Sequence, residues 1–207
     1  MTSDKYMLNS DAGRMAAARY VTEGFARRVR LDRRNELRLV LLVEETLGMV
    51  KAMVDEFYGQ MWFVGDGRAC EIHLQATANM DSDRKRELLS VSRSGKNAAT
   101  KGFMSMLGEY IANTIHNIGS AMDTAYGQSA VQYGIIPGGM DTPNLYDLTP
   151  MWTLQKYRAD LEKGQGDGTE AALEDLEKSI VANLADDVVV GVKGDTLEMV
   201  IVKRFDN

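Results

Sequence analysis

The feature that most constrains this chain is an apolar helical stripe in its first third. Val40, Val43, Leu47, Val50, Val54 and Phe57 recur at spacings of three and four residues. That period puts them on one face of an α-helix, predicted over residues 33–58. Leu39, Leu42, Met49 and Met53 widen the apolar surface, and Glu44, Gly48, Lys51 and Asp55 form a polar stripe beside it. A helix this apolar calls for packing on more than one side. Apolar surface in excess of one packed stripe marks an interface, so a homodimer or a stable complex with a protein partner is expected.

A shorter helix should precede it, beginning near Ser10 or Asp11, both good N-cap types, and ending near Val29. Ala18, Val21, Phe25 and Val29 fall on its inward face. Arg27, Arg28, Arg30, Arg33 and Arg34 crowd the junction between the two helices. Such a run is either a solvated corner, with cations that suit a helix C-terminus, or a docking patch for an acidic partner.

Beyond the long helix the period changes to two. Met61 to Val64 reads as a short strand and Gly65-Asp66-Gly67 as its turn. Cys70, Ile72, Leu74 and Ala76 then alternate with Glu71, His73, Gln75 and Thr77 in a second strand. Helices are predicted over 81–90, capped near Ser82, and over 97–120, where Phe103, Leu107, Ile111, Ile115 and Ile118 share a face. Over 121–148 the pattern dissolves; irregular segments this long commonly serve as lids or stay disordered. Thr149 and Pro150 supply an N-cap and first-turn proline for a helix to about Glu162. Gly164, Gly166 and Gly168 mark a flexible connector. A helix capped near Thr169 carries Leu173, Leu176, Ile180 and Leu184 inward. The chain closes on a hairpin of Val188 to Val190 and Leu197 to Val202 around Lys193-Gly194-Asp195. Helices and strands do not alternate regularly, which favours α+β over a doubly wound sheet. The 207 residues suit a single domain with an irregular or helical insertion at about 121–183.

Charge and composition exclude several function classes. The formal net charge is −6 and the pI near 5.0, against the basic excess of a general nucleic-acid binder. One cysteine, Cys70, precludes an internal disulfide, and with two histidines it makes a structural zinc site untenable. Residues 1–14 are polar and do not resemble a signal peptide, and no apolar run approaches membrane-spanning length. A cytoplasmic protein with a reduced, buried Cys70 is expected.

Several motifs fail on spacing. Ser94-Gly95-Lys96-Asn97 lacks both the glycine at position 90 and the hydroxyl after the lysine that a phosphate-binding loop needs. Gly164, Gly166 and Gly168 do not follow a strand, so they are no dinucleotide fingerprint. Cys70 and His73 have opposite strand parity and cannot form a simple dyad. His116, lone beside Ile115, reads as structural. Glu44 and Glu45 interrupt the long helix: either both lie at its solvent edge, or one carboxylate points into a pocket and polarises a water.

The order of these elements, with Val43-Glu44-Glu45 on the long helix, the strand pair after it and a terminal hairpin, resembles the GHKL superfamily. These are the Bergerat-fold, histidine-kinase-like ATPases, and the anti-sigma-factor serine kinases are the nearest branch. The resemblance spans about residues 11–120 and 184–205. It implies a two-layer α/β sandwich, with a mixed, mainly antiparallel sheet and helices on one face. It also implies ATP held through Mg²⁺ beside a mobile lid. Carried over by residue, Glu45 takes the place of the catalytic base. Met49 stands where the metal-binding Asn belongs, and Ala78 where an Asp reads the adenine. Asn79, Asp81 and Gly95 become the candidate nucleotide contacts. The resemblance thus implies a regulatory or partner-binding protein with a degenerate nucleotide site. An active ATP-binding serine kinase or ATPase of the same superfamily is the alternative, and a helical scaffold unrelated to ATPases is a third.

Overall fold

The computed structural model describes residues 1–53, 56–78, 107, 110, 152–164, 169–193 and 196–205. Among these, strand β1 covers Tyr6–Asn9, helix α1 Ala12–Arg28, helix α2 Arg33–Met53, β2 Phe57–Gly65 and β3 Ala69–Ala78. After the insertion come β4 Trp152–Thr153, α3 Leu154–Glu162, α4 Thr169–Lys178, α5 Ile180–Leu184, β5 Asp187–Lys193 and β6 Thr196–Arg204. The strands form one sheet in the order β1-β2-β3-β6-β5-β4, antiparallel at every junction. The architecture is α+β, as expected.

Alternation builds the sheet's two faces. Cys70, Ile72, Leu74 and Ala76 of β3 are all buried, and their register partners Phe63, Met61, Ile201 and Met199 are buried beside them. This face forms one apolar core with α1, α2 and the later helices. The opposite face is polar and half-exposed. Trp62 stacks on His73 at 5.0 Å, Lys5 Nζ sits 4.6 Å over the Trp62 ring, and Gln60, Gln75 and Glu198 form a hydrogen-bonded row across three strands.

Helix α1 starts where Asp11 caps it, accepting the Arg14 N–H at 3.0 Å. Its buried positions are Ala18, Thr22, Phe25 and Ala26, so the inward face lies slightly round from the expected one, with Val21 and Val29 at its margin. Thr22 fits because its hydroxyl returns a hydrogen bond to the Ala18 carbonyl at 2.8 Å. The C-terminus is a Schellman turn: Leu31 N–H reaches Ala26 O at 3.0 Å and Arg30 N–H reaches Arg27 O at 3.1 Å. The left-handed position that glycine usually fills is held by Arg30, at φ 60°. Arg30→Gly is therefore expected to raise stability by about 0.5–1 kcal/mol, read as a higher urea midpoint at unchanged m.

Helix α2 begins at Asp32, whose carboxylate accepts Asn35 N–H at 2.8 Å. Val40, Val43, Leu47 and Val50 are buried as expected, and Leu39, Leu42 and Met49 are buried too, while Glu44, Gly48 and Lys51 face solvent. The helix touches both α1 and α5, which accounts for its wide apolar face within the chain. Among the residues of α2 whose burial is described, Leu37 and Leu41 are the exposed large apolar ones.

The structure moves several boundaries. α2 ends at Met53, and Phe57 and Tyr58 belong to β2, which is longer than the predicted 61–64. Phe57 satisfies both periods; pairing of β2 with β1 on one side and β3 on the other decides for strand. α3 begins at Leu154, capped by Thr153, whose hydroxyl accepts Lys156 N–H at 3.2 Å, instead of at Thr149 and Pro150, which lie outside the described residues. The helix expected from Thr169 is broken at Ser179, which caps α5 through Ala182 N–H at 3.2 Å; Ile180 is left exposed and Val181 and Ala182 turn inward. β1 has no counterpart in the expected elements. In the terminal hairpin, Lys193 pairs with Thr196, which leaves the two-residue connection 194–195. The predicted helices at 81–90 and 97–120 and the irregular stretch 121–148 lie outside the described residues, apart from Leu107, helical and fully buried, and Tyr110.

Candidate functional site

The antiparallel register gives the sandwich two distinct ends. Phe57 pairs with Ala78, and Thr77 with Thr196. The C-terminal turns of α2, the start of β2, the end of β3 and the start of β6 therefore meet at one end. The α1–α2 corner, the β2–β3 turn and the end of β6 meet at the other.

Glu44 and Glu45 lie near the first of these ends and diverge by about 100° around α2. Glu44 is exposed on the side facing α1, where Arg19 Nη1 approaches its Oε1 at 3.8 Å. Glu45 occupies the other edge of the solvent stripe, next to the buried Leu42 and Met49. It is half-buried, and its carboxylate has no hydrogen-bond or ion-pair partner among the described residues. The neighbouring Thr46 hydroxyl is committed to Leu42 O at 2.7 Å. A half-buried carboxylate with no partner among the described residues can orient a water.

Met49, one turn beyond Glu45, is 5 % exposed. Its thioether is a soft donor and Mg²⁺ takes oxygen ligands, so this position does not fit the metal of the resembled family. Among the described residues, no three His, Cys, Asp or Glu side chains gather in a metal-holding group. Ala78 closes β3 at the same end. The other sequence-derived candidates, Asn79, Asp81 and Gly95, lie outside the described residues, as does His116.

No protein-family model matches the chain, and no curated protein matches it. Residues and geometry alone then bear on what it does.

The remaining chemically capable side chains are placed apart. Cys70 is buried on the core face and His73 stands on the opposite face, 3.0 Å from Glu71 Oε2. The parity argument against a dyad holds. Burial, followed by the nearby Glu71 charge, pushes the Cys70 thiol up to about 12, so it is an inert thiol at neutral pH. The unfolded chain releases this proton near pH 8.5, and the folded chain holds it. The thiol's contribution to stability is accordingly constant below that pH and falls by about 1.4 kcal/mol per pH unit from there to about pH 12. Cys70→Ala should flatten that alkaline slope in urea titrations across pH 8 to 10.

Tyr157 was not singled out by the sequence pattern. Its hydroxyl is buried with no hydrogen-bond partner among the described residues, and its ring centroid lies 5.8 Å from that of Trp152. Burial, and then Asp175, raise its phenol above the ordinary value. Its spacing with Leu154 and Leu161 marks it as inward-facing on α3, but its neighbours Trp152 and Asp175 belong to β4 and α4 and are set by the fold.

Proposed function

We propose that this chain is a regulatory, partner-binding protein with a histidine-kinase-like ATPase fold of the anti-sigma-factor kind, its nucleotide site stripped of metal ligands. The pair Glu45 and Met49 carries this reading. The carboxylate that the resemblance assigns as base is half-buried and unpaired among the described residues, and one turn on a buried thioether replaces the metal's oxygen donor. The sheet gives support, because the resemblance requires β3 and the terminal hairpin to share one sheet, as β3 and β6 do. On this reading the protein acts in the cytoplasm, where Cys70 stays reduced, and it works by binding a protein partner or a second copy of itself. Among the described residues no helix is long and apolar enough to cross a membrane, in keeping with that setting.

The test is a thermal-shift titration with ATP and Mg²⁺. A ligand held a hundredfold above its Kd adds about 2.7 kcal/mol to the native state. For a chain of this size that is a rise of about 5–10 °C in Tm. No rise at millimolar ATP is expected. A rise abolished by Glu45→Ala would instead favour the alternative, an ATP-binding serine kinase or ATPase of the same superfamily, in keeping with a Glu45 carboxylate that has no partner among the described residues.

A further inference from the structure

We propose that the end of the sandwich opposite Glu45 docks an acidic polypeptide segment of a partner protein. The surface is an arginine cluster that the fold enlarges beyond what the sequence displays. Arg27 and Arg28 lie in the last turn of α1, Arg30 follows it, and Arg33 and Arg34 open α2. Gly67, in the β2–β3 turn, comes so near Val29 that a Cβ there would sit 2.5 Å from the Val29 carbonyl oxygen, which brings Arg68 to this corner. Arg204 pairs with Ala69, and Phe205 N–H donates to Arg68 O at 2.8 Å, so the end of β6 arrives at the same place.

Neighbouring carboxylates leave most of these charges free. Glu23 takes Arg27 at 3.3 Å and Glu36 takes Arg33 at 3.1 Å. Asp32 and Asp66 spend oxygens on the backbone N–H groups of Asn35, Arg68 and Ala69. Arg28, Arg30, Arg34, Arg68 and Arg204 are exposed, and their guanidinium groups have no ion-pair or hydrogen-bond partner among the described residues. Two of the positions oppose local preference. Arg30 holds the left-handed conformation that glycine would fill more easily. Arg34, with Arg33, sits at a helix N-terminus, where the helix dipole disfavours cations. The charge of Arg30 suits the C-terminus of α1, but its backbone conformation, like the place of Arg34 at the start of α2, is a local cost.

The chemistry of the corner selects the occupant. A guanidinium fork pairs with carboxylates in two-pronged fashion. Leu37 and Leu41 lie exposed along the α2 stripe that leads away from Arg33 and Arg34, and they offer an anchor for an apolar side chain within an acidic segment. The chain as a whole carries −6, so its net charge apart from the arginines of this corner is negative. A long polyanion such as nucleic acid would be repelled wherever it ran past the corner, whereas a short acidic segment stays within it.

This inference deepens the partner-binding reading and rests on it. The ATP titration probes Glu45, twelve residues along α2 from Arg33 and so about 18 Å away, and the two can fail separately. The experiment is fluorescence anisotropy of the full chain with a short labelled peptide of glutamates interspersed with leucines. The expected result is binding that weakens as salt rises, cut about tenfold by Arg34→Glu and again by Arg68→Glu. Arg34→Glu should leave folding intact, since it favours the α2 dipole. Arg30→Gly should weaken binding while raising stability, a split that a purely structural arginine would not give. Absence of peptide binding at low salt overturns the proposal. So does equal binding by the doubly reversed variant, which would move partner docking elsewhere on the protein. Tighter binding of a single-stranded oligonucleotide or of phosphatidylserine vesicles, lost in the same variants, would overturn it in favour of those ligands.

Discussion

Phe25→Ala is expected to destabilise the protein by about 3–5 kcal/mol, measured as a fall in the urea midpoint. Phe25 is fully buried on α1, and its ring stacks on that of Phe63 in β2, with centroids 5.0 Å apart and planes 19° from parallel. This contact joins the helical layer to the sheet. Truncation removes both the buried ring area and the stacking term, and it leaves a cavity between two rigid elements that cannot easily close. Because domains are stable by only about 5–15 kcal/mol, one substitution would consume a large share of the total. A double-mutant cycle with Phe63→Ala should return a coupling of about 0.5–1.5 kcal/mol, the part owed to the ring pair itself. A loss under 1 kcal/mol for Phe25→Ala would mean that α1 does not pack on β2 as described.

Gly67→Ala should have the next largest effect, a loss of about 2–3 kcal/mol. Gly67 has φ 92°, where side chains are strained, and a Cβ would meet the Val29 carbonyl oxygen at 2.5 Å. Neither the turn nor the end of α1 can yield easily. Asp66 Oδ1 holds the turn from Arg68 N–H at 3.0 Å, and those backbone donors keep the Asp66 carboxyl below its ordinary range. Gly48→Ala is the matching control. Gly48 lies on the solvent stripe of α2, where the added methyl meets nothing within 4 Å among the described residues beyond the local helix backbone, so it should gain up to about 1 kcal/mol from helix propensity. Equal effects at the two glycines would refute the close approach of the β2–β3 turn to the α1–α2 corner.

Much of the architecture was legible because its signals are local. The α2 stripe and the alternation of β3 need only the period of one element, and Val40, Val43, Leu47, Cys70, Ile72 and Leu74 are buried where those periods put them. Asp11 could be recognised as a cap from its own side chain and its neighbours. The misplaced boundaries share a different cause. Phe57 fits either a helix or a strand, and the β1 and β3 backbones settle the matter by offering hydrogen bonds on both sides. Ile180 extends an apolar helical series on paper, but Ser179 captures Ala182 N–H and rotates the chain so that Val181 and Ala182 reach the core instead. β1, four residues long, is a strand because β2 offers it an edge.

The candidate site divides in the same way. The identities of Glu45, Met49 and Ala78, and with them the mismatch to a metal-bound nucleotide, are properties of the sequence alone. So are the opposed faces of Cys70 and His73, because parity along a strand is local. Tertiary structure decided how the two adjacent glutamates differ among the described residues. α1 packs on one flank of α2 and supplies Arg19 to Glu44, which leaves Glu45 on the other edge without a partner among the described residues. It also decided the extent of the arginine corner. Five of its arginines are visible as a run between two helices, but Arg68 and Arg204 join them only through the β2–β3 turn and the β3–β6 pairing. Period and capping are set by residues a few positions apart and can be read along the chain. The meeting of residues a hundred or more positions apart is fixed by sheet register and core packing, and only the folded molecule specifies it.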